Sequence, residues 1–553
     1  MRSKRSYALL GLLLALSMFA AACASQGGDT GNNGDTGNAA DEAAQGGTLV
    51  VAAEQFPADT QCYGASNNIA WCYYPENAVL LGAYRQTPDF TYEPELLDGE
   101  AEVDQGPPFK VTYHINPDAT WSDGEPVTAQ DFEYTKEAIL DPDNEVVGTD
   151  GYDDIKSTKI IDDKTYEVTF NKVFAPYKTL FGPIYPAHIL EGQDWDKVWD
   201  KCICDPKTGD PIGDGPFLLT SWKKNQEWVL ERNENYWGDH LAYLDKMVWR
   251  YIADVNSEIQ ALRGGEVDMI YPTTQLTLKN VLTMEGVESD VEAGTFWQHL
   301  DFSFKNPLLK NDWVRQAIAY GIDRQAIVDK LVKPLQDDAE PLQNLIYVSN
   351  APEYEPHFDT YNYDPDKAAQ ILEDHGCKKG SDGIYECNGQ KLSFSYKSTA
   401  ENELRELMYQ IIQAELKDVG IEMRNDFGEA DVVFTELSQH DYDVFQFGWV
   451  GTVDPFGSNA IFECKGDQNY GDYCNQEATD LLEKTNTILD PTERAATYNQ
   501  ADELMAEDVP VLPLWQAPQM LAYSDKFGGF VNNTTTQGPI WNAADIYMKK
   551  SAQ

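Results

Sequence analysis

The sequence has few basic residues, few histidines and no recurring metal-binding pattern. It contains 41 lysines and arginines against 92 aspartates and glutamates, and only seven histidines. This acidic excess repels phosphates, so nucleic acid is not an expected partner. There is no HExxH helix and no CxxC repeat at zinc spacing, so the sequence predicts neither a metal site nor a cofactor.

Motifs of common enzymes and repeat proteins are also missing. The sequence has no GxSxG elbow, no P-loop and no HExxH motif. A secreted lipoprotein hydrolase is therefore a less favoured interpretation, and we expect no enzymatic activity. No unit of about 20–50 residues recurs, which argues against a solenoid or a propeller. Beyond the N-terminus, no run is long and apolar enough to cross a membrane.

The N-terminus has the pattern of an export signal. Three basic residues precede the apolar run Tyr7–Ala21, namely Arg2, Lys4 and Arg5. About 15 apolar residues after a basic start suit a signal peptide and are short for a membrane span of about 20. We therefore predict a signal peptide at residues 1–22, cut after Ala22.

Cys23 directly follows the small residues Ala20-Ala21-Ala22. This arrangement resembles the bacterial lipoprotein signal, although Ala20 stands where the commonest form has leucine. The resemblance implies a lipidated Cys23 that anchors the protein to the outer face of the cell membrane, in the periplasmic space or cell-wall zone. Two acyl chains anchor stably where one does not. The alternative is an ordinary secretory signal that leaves a free Cys23.

The segment after Cys23 is polar and rich in glycine. Its sequence GDTGN at residues 28–32 recurs at residues 34–38. Such a stretch has nothing to bury, so residues 23–47 are predicted to be a disordered tether. The following residues, about 500 in number, exceed what one core usually holds, so two or more lobes are expected.

The remaining eight cysteines fall into close pairs, three of them with a spacing of ten residues. An even count in an exported chain predicts disulfides, although eight cysteines allow 105 pairings and proximity is only a guide. A bridge between Cys202 and Cys204 would be strained and easily reduced. The predicted bridges are Cys62–Cys72, Cys202–Cys204, Cys377–Cys387 and Cys464–Cys474.

Helical and strand patterns alternate along the chain, which predicts the α/β class. A helix is expected over Asp131–Leu140, with Thr128 as its cap, and another in the sequence ELRELMYQIIQAELKDVGIEM at residues 403–423. The apolar spacing across residues 312–332 predicts one further helix, capped by Asn311 or Asp312. Strands are expected at 109–115, 165–170, 227–231 and 391–396.

Six stretches, read in order, resemble the extracellular solute-binding proteins of ABC importers, family 5, the dipeptide, oligopeptide and nickel-binding group. Together they extend over nearly all of the chain that follows the signal. The first, VTYHINPDATWSDGEPVTAQDFEYTKEAI, is similar to that family's signature of a strand, an Asp-Gly turn and a Thr-capped helix. The six stretches are Val111–Ile139, Gly213–Gly238, Ala261–Ile270, Val314–Leu331, Asp441–Pro455 and Val509–Trp515.

The resemblance implies a periplasmic-binding-protein-like class II clamshell, with two α/β lobes and an insertion domain in the first. Lobe I would comprise residues 48–80, 213–295 and 513–548, the insertion residues 81–212, and lobe II residues 296–512. The implied function is an extracytoplasmic substrate-binding lipoprotein that captures a peptide or a peptide-like small solute between closing lobes. It would act as a monomer and deliver its ligand to a permease whose ATPase is a separate chain. A sensory receptor of the same fold is the alternative.

The resemblance also nominates ligand-binding residues in lobe II. Peptide binders of the family have a tryptophan that lines the pocket, matched here by Trp449. Three residues later they have an aspartate for the ligand's α-amino group, where this chain has Thr452. A hydroxyl cannot replace a buried carboxylate. Either Asp454 takes over, or the ligand lacks a free ammonium, so a peptide, a sugar or another solute stays open.

Two further candidates follow from their expected positions. No lysine or arginine lies between residues 344 and 363, so His357 is the only candidate there for a ligand carboxylate. Gln55, with Glu54, ends the first predicted strand at the expected cleft edge, with a plain exposed loop as the alternative. Phe445 and Phe447 alternate with Trp449 and are expected to pack in the core, and His299 is expected to be structural.

If Cys23 carries the lipid anchor, metabolic palmitate labelling of the expressed protein will depend on it. We expect labelling to disappear in Cys23→Ala, because the thioether forms on that sulfur alone. Cys377→Ala serves as a control that keeps Cys23. Labelling that survives in Cys23→Ala would contradict the anchor.

Overall fold

The computed structural model describes residues 43–67, 69–400 and 402–552. Cys23, the predicted signal peptide and most of the predicted tether lie outside these residues. Among the helices described, none combines the length and the apolarity that crossing a membrane requires. Within the same residues, no group of three or more histidine, cysteine or acidic side chains is arranged to hold a metal ion.

The elements alternate between strands and helices along most of the chain. The strands are β1 Ala43–Ala44, β2 Thr48–Ala53, β3 Tyr84–Gln86, β4 Tyr92–Pro94, β5 Glu102–Asp104, β6 Lys110–His114, β7 Ile155–Asp162, β8 Thr165–Phe170, β9 Phe217–Lys223, β10 Glu227–Arg232, β11 Lys246–Tyr251, β12 Met269–Ile270, β13 Val287–Phe302, β14 Lys378–Lys379, β15 Tyr385–Cys387, β16 Gln390–Lys391, β17 Ser393–Thr399, β18 Glu422–Gly428, β19 Val444–Val450, β20 Val511–Ser524, β21 Phe527–Gly528 and β22 Tyr547–Lys549. The α-helices are α1 Ala70–Glu76, α2 Ala129–Leu140, α3 Ala187–Leu190, α4 Trp195–Val198, α5 Val255–Gly264, α6 Asp312–Tyr320, α7 Arg324–Leu331, α8 Pro365–Asp374, α9 Glu403–Val419, α10 Ala430–Ser438, α11 Ser458–Phe462, α12 Gln476–Thr485 and α13 Pro491–Asp508.

One ten-stranded sheet runs through both halves of the molecule, in the order β18-β17-β19-β13-β20-β12-β2-β11-β10-β9. Strands β13 and β20 are its longest members and pair antiparallel. Their ladder shifts register between Gln298 and His299, and it breaks between Ala293 and Trp297. At this break, a Cβ on Gly294 would lie 2.7 Å from the carbonyl oxygen of Ala517, so only glycine fits.

The first half of the molecule packs around β2, β11, β10 and β9. Its core holds fully buried tryptophans, among them Trp121, Trp199, Trp228 and Trp249. Residues 81–212 form their own antiparallel sheet, β5-β6-β8-β7, yet their apolar side chains join this same core. The apolar side chains of the segment predicted as an insertion therefore pack in the core of the first half.

The second half packs around β19, β17 and β18, with helices α6 to α9 and α13 contributing to its core. Trp515, from β20, is fully buried there together with Tyr396 and Tyr498. Phe90 also belongs to this core although it comes from the β3–β4 hairpin of the first half. The two halves are therefore in contact through the tip of that hairpin.

Local signals at helix ends have the expected effect in one place and not in another. The Thr128 side chain accepts a hydrogen bond from Gln130 N, and the Asp131 carboxylate accepts one from Thr128 N at 2.7 Å, which together cap α2. The single helix predicted over 312–332 is wrong. The first helix, α6, ends at Tyr320, with Gly321 as its C-cap. The Asp323 carboxylate then starts a second helix, α7, by accepting a hydrogen bond from Ala326 N.

The first described strand pairs with the last, and the cysteines lie in four close pairs. Ala43 and Ala44 are buried and pair with Lys549 and Met548, so the predicted tether boundary at residue 47 is too late. Ala43 and Ala44 pack there because the C-terminal strand β22 offers a partner. The eight remaining cysteines lie at bonding distance in the four predicted pairs.

Glu258 on α5 is a carboxyl group in the core of the first half. It is fully buried, and neither of its oxygens has a hydrogen-bond partner among the residues described. Burial raises the pKa of Glu258 to about 9, and the nearby carboxylates of Glu54 and Asp254 raise it further. Glu258 therefore stays protonated when the folded protein is at neutral pH.

This burial makes folding stability depend on pH. Between the pKa of Glu258 in the unfolded chain and its folded value of about 9, the folded state holds a proton that the unfolded chain releases. The free energy of unfolding then falls by about 1.4 kcal/mol per pH unit as pH rises. We expect Glu258→Gln to raise the melting temperature much more at pH 8 than at pH 5. Glu266→Gln, at an exposed position after the same helix, should give equal shifts. Equal shifts for Glu258→Gln would contradict the buried proton.

Candidate functional site

A cavity of about 440 Å³ lies between the two halves of the molecule. The first half contributes residues of α1, of the β3–β4 hairpin and of the loop at 178–183, and the C-terminal segment contributes 536–537. The second half contributes the loop at 452–457, which follows β19. The volume falls within the roughly 300–1,000 Å³ of small-molecule sites.

The two halves touch each other beside this cavity. Phe174 packs its ring edge-on against Phe456, with centroids 5.6 Å apart. The backbone amide of Ala175 donates a hydrogen bond to the carbonyl of Asn486 at 2.8 Å. These contacts join the first half to the second beside the cavity.

The cavity wall is rich in tyrosine. Tyr84 and Tyr92 face each other across the β3–β4 hairpin at 6.5 Å between ring centroids. Tyr63 and Tyr73 line the opposite part of the first half, and burial raises the pKa of Tyr63 to about 12. The phenols therefore stay neutral, and they offer ring faces and hydroxyl groups to a ligand.

Two of the four charged residues that line the cavity, Lys178 and Asp454, are already paired within the protein. Lys178 contacts Glu100 at 2.8 Å and lies 5.1 Å from the ring centroid of Tyr84. Arg494 donates two hydrogen bonds to Asp454, at 2.6 and 2.8 Å, and both side chains are largely buried. No cation in the described part of the wall is left without an acidic partner.

Thr452 and Asp454, both predicted as ligand residues, do line this cavity. The Thr452 hydroxyl donates to the backbone carbonyl of Asp454 at 2.5 Å. The Asp454 carboxylate also accepts a hydrogen bond from Phe456 N at 3.0 Å and so starts a short turn. Its charge is balanced by Arg494, so Asp454 is not a free partner for a ligand ammonium.

Trp449 is not among the residues that line the cavity. Its ring lies parallel to those of His299 and Tyr470, each at a centroid distance of 6.0 Å. With Asp301 it borders a separate void of about 10 Å³, which holds at most about one water molecule. Trp449 thus continues the packed aromatic face of Phe445 and Phe447 instead of turning into the cleft.

His357 and Gln55 also lie away from the cavity wall. The Nδ1 atom of His357 is 2.6 Å from Asp502, and this hydrogen bond raises the pKa of His357. The groove around it contains Glu503 and Glu507, which would repel a ligand carboxylate. Gln55 is exposed, while its neighbour Glu54 is buried and accepts a hydrogen bond from Thr273 N at 2.8 Å.

Several residues at or beside the cavity could not be identified as site residues from the sequence. Glu95 and the hairpin tyrosines have no motif that marks them as site residues. Arg494 does carry a signal, because it lies in the first turn of α13 beside Glu493, where the helix dipole disfavours a cation. A basic residue there indicates a specific acidic partner, although the sequence does not say which.

The sequence of the chain matches known proteins along most of its length. Residues 91–470 match the profile of the bacterial extracellular solute-binding proteins, family 5 Middle. The chain is 26% identical to the oligopeptide-binding protein AppA of Bacillus subtilis over 548 residues, which covers 96% of each chain. It is 27% identical to the oligopeptide-binding protein OppA of Mycobacterium tuberculosis H37Rv over 497 residues, covering 88% of this chain and 82% of that one.

Solved structures share the same fold at lower identity. A periplasmic EDTA-binding protein, EppA, superposes with a TM-score of 0.82 at 23% identity, covering 92% of this chain and 97% of that one. AppA of Bacillus subtilis in complex with a nonapeptide gives 0.74 at 23% identity, covering 92% and 100%. NikZ of Campylobacter jejuni in complex with Ni(L-His) gives 0.75 at 24% identity, covering 90% and 99%. These likenesses confirm the predicted class II clamshell fold.

The buried pair of Asp454 and Arg494 should matter for the stability of the second half. Arg494→Met leaves the carboxylate of Asp454 buried without its partner, which typically costs about 3–5 kcal/mol. Urea unfolding should show this loss, and the double variant Asp454→Asn with Arg494→Met should recover part of it.

The control for this pair is Arg424→Met. Arg424 is largely exposed and lies 3.9 Å from Asp443, so its loss should cost less than about 1 kcal/mol. A cost for Arg494→Met no greater than that of Arg424→Met would contradict a structural role for the buried pair.

Proposed function

The chain belongs to the bacterial extracellular solute-binding proteins of family 5, and we propose that it captures a peptide between its two lobes and delivers it to an ABC importer. The observation that supports this most is the cavity of about 440 Å³ with walls from both halves. A ligand that contacts both walls stabilises the closed form, because only differential contacts shift a conformational equilibrium.

The peptide class is supported by relatives and by the chemistry of the wall. The relatives AppA and OppA are named as oligopeptide-binding proteins, and DppE of Bacillus subtilis, 25% identical, as a dipeptide-binding protein. The wall combines tyrosine rings, which pack against apolar side chains, with hydroxyl and carboxyl groups that bond to amides. Its volume suits a short peptide.

Delivery requires partners outside this chain. We propose that a membrane permease with a separate ATPase receives the closed form, and that lipidated Cys23 keeps the protein at the outer face of the membrane. The acidic chain, with a formal charge of −51, is consistent with a monomer that stays soluble at its tether. In this proposal the protein binds its ligand and catalyses no reaction.

A thermal-shift screen of short peptides tests this function. A peptide at 100 times its dissociation constant stabilises the folded protein by roughly 2.7 kcal/mol, which raises the melting temperature. We expect Thr452→Trp to abolish the shift, because the indole fills the cavity from its second-half wall. Gln55→Trp adds the same ring at an exposed position away from the cavity and should keep the shift. A screen in which only sugars or other non-peptide solutes raise the melting temperature would overturn the peptide assignment.

A further inference from the structure

Glu95 is a carboxyl group in the wall of the cavity, and no cation of the described residues is bonded to it. Its Oε2 atom accepts one hydrogen bond, from the backbone amide of Gly82 at 2.9 Å. A carboxylate offers about four acceptor positions, so most of its capacity is open. Building on the proposed function, we propose that Glu95 binds a cationic N–H group of the captured peptide, either its α-ammonium or a basic side chain.

The cations in and around the cavity wall are bonded to other groups. Lys178 contacts Glu100, and Arg494 is held by Asp454 through two hydrogen bonds. Arg85 donates to Glu93 at 3.0 Å and lies over the ring of Trp541. The wall as described therefore has more negative than positive charge, which a positively charged ligand would balance.

Glu95 is partly buried, and acidic groups outnumber basic ones around it. Burial raises the pKa of Glu95 to about 7, Glu93 raises it slightly, and Arg85 lowers it. The other groups that face it are Asp214, whose own pKa is raised well above its usual value by burial, and the neutral Tyr236. An ionised Glu95 is costly in such a site unless a cation accompanies it.

The rest of the wall also suits an N–H donor. Gln86 lines the same cavity, and its buried Oε1 atom has no hydrogen-bond partner among the described residues. Tyr92 provides a ring face, which attracts ammonium and guanidinium groups, whereas Lys178 already lies over the ring of Tyr84. Asp150, an exposed acid, lines the cavity as well. An acceptor-rich, aromatic wall favours cationic over neutral or anionic ligands.

A random tripeptide library and its acetylated counterpart test the proposal. Acetylation removes the charge of the α-amino group and of lysine while leaving the rest of each peptide in place. Ultrafiltration with mass spectrometry at pH 7.5 would measure the peptides that the wild-type protein retains. We expect at least tenfold better retention of untreated peptides, with arginine-containing peptides as the main survivors in the acetylated pool.

Two variants assign the effect to Glu95. Glu95→Gln keeps the shape and the acceptor for Gly82 N and should abolish the preference for untreated peptides. Asp89→Asn removes an exposed acid from the turn of the same hairpin, outside the cavity wall, and should behave as the wild type. In the wild type, retention of cationic peptides should fall up to about tenfold per unit as pH drops below 7, because Glu95 gains a proton. In Glu95→Gln it should not depend on pH.

The outcomes separate this proposal from the proposed function. Equal retention of untreated and acetylated peptides by the wild type overturns the role of Glu95 and leaves peptide capture standing. An equal preference in Glu95→Gln and Asp89→Asn also overturns it. If neither pool is retained while another class of solute is, the proposed function fails, and the role of Glu95 in peptide binding fails with it.

Discussion

The pairing of β13 with β20 is the constraint on which the rest of the structure depends. Each strand contributes to the sheet of both halves, so the halves are joined at the middle of two continuous strands. The ladder is interrupted beside Gly294, where the chains approach so closely that no side chain fits. Each half keeps its own packed core around its part of the sheet. The cavity lies between these two halves.

Charge pairing decides what the cavity can bind. Arg494 is held by Asp454 and Lys178 by Glu100, so the protein satisfies these charges itself. A buried pair that is already complete gains little from a ligand ion of either sign and loses much if one partner is taken away. Recognition must therefore depend on groups that the fold leaves open, and Glu95 is such a group. The same reasoning explains why Asp454, although it lines the cavity, is poorly suited to hold an ammonium.

Patterns that act over a few residues were predictable, and contacts between distant segments were not. The strand predicted at 165–170 has those bounds in the structure, and Thr128 caps α2 as expected, because both depend on neighbouring residues. Alternation also showed that Phe447 and Trp449 share one face. It could not show that α10 and Tyr470 cover that face and keep Trp449 from the cleft. The pair of Asp454 and Arg494 joins segments forty residues apart, for which no local pattern exists.

The negative charge of the chain and the open carboxylate of Glu95 both favour cationic ligands, but they act over different distances. The formal charge of −51 attracts cationic solutes from a distance, but salt screens this attraction beyond about 8–10 Å. A ligand cation bonded to Glu95 would lie well within the screening length, so a salty medium weakens that interaction less. The surface charge therefore acts mainly on the rate of capture, and the cavity on how long the ligand stays. Selectivity between cationic and neutral ligands depends on the cavity, because a neutral ligand leaves the Glu95 carboxylate there without a partner.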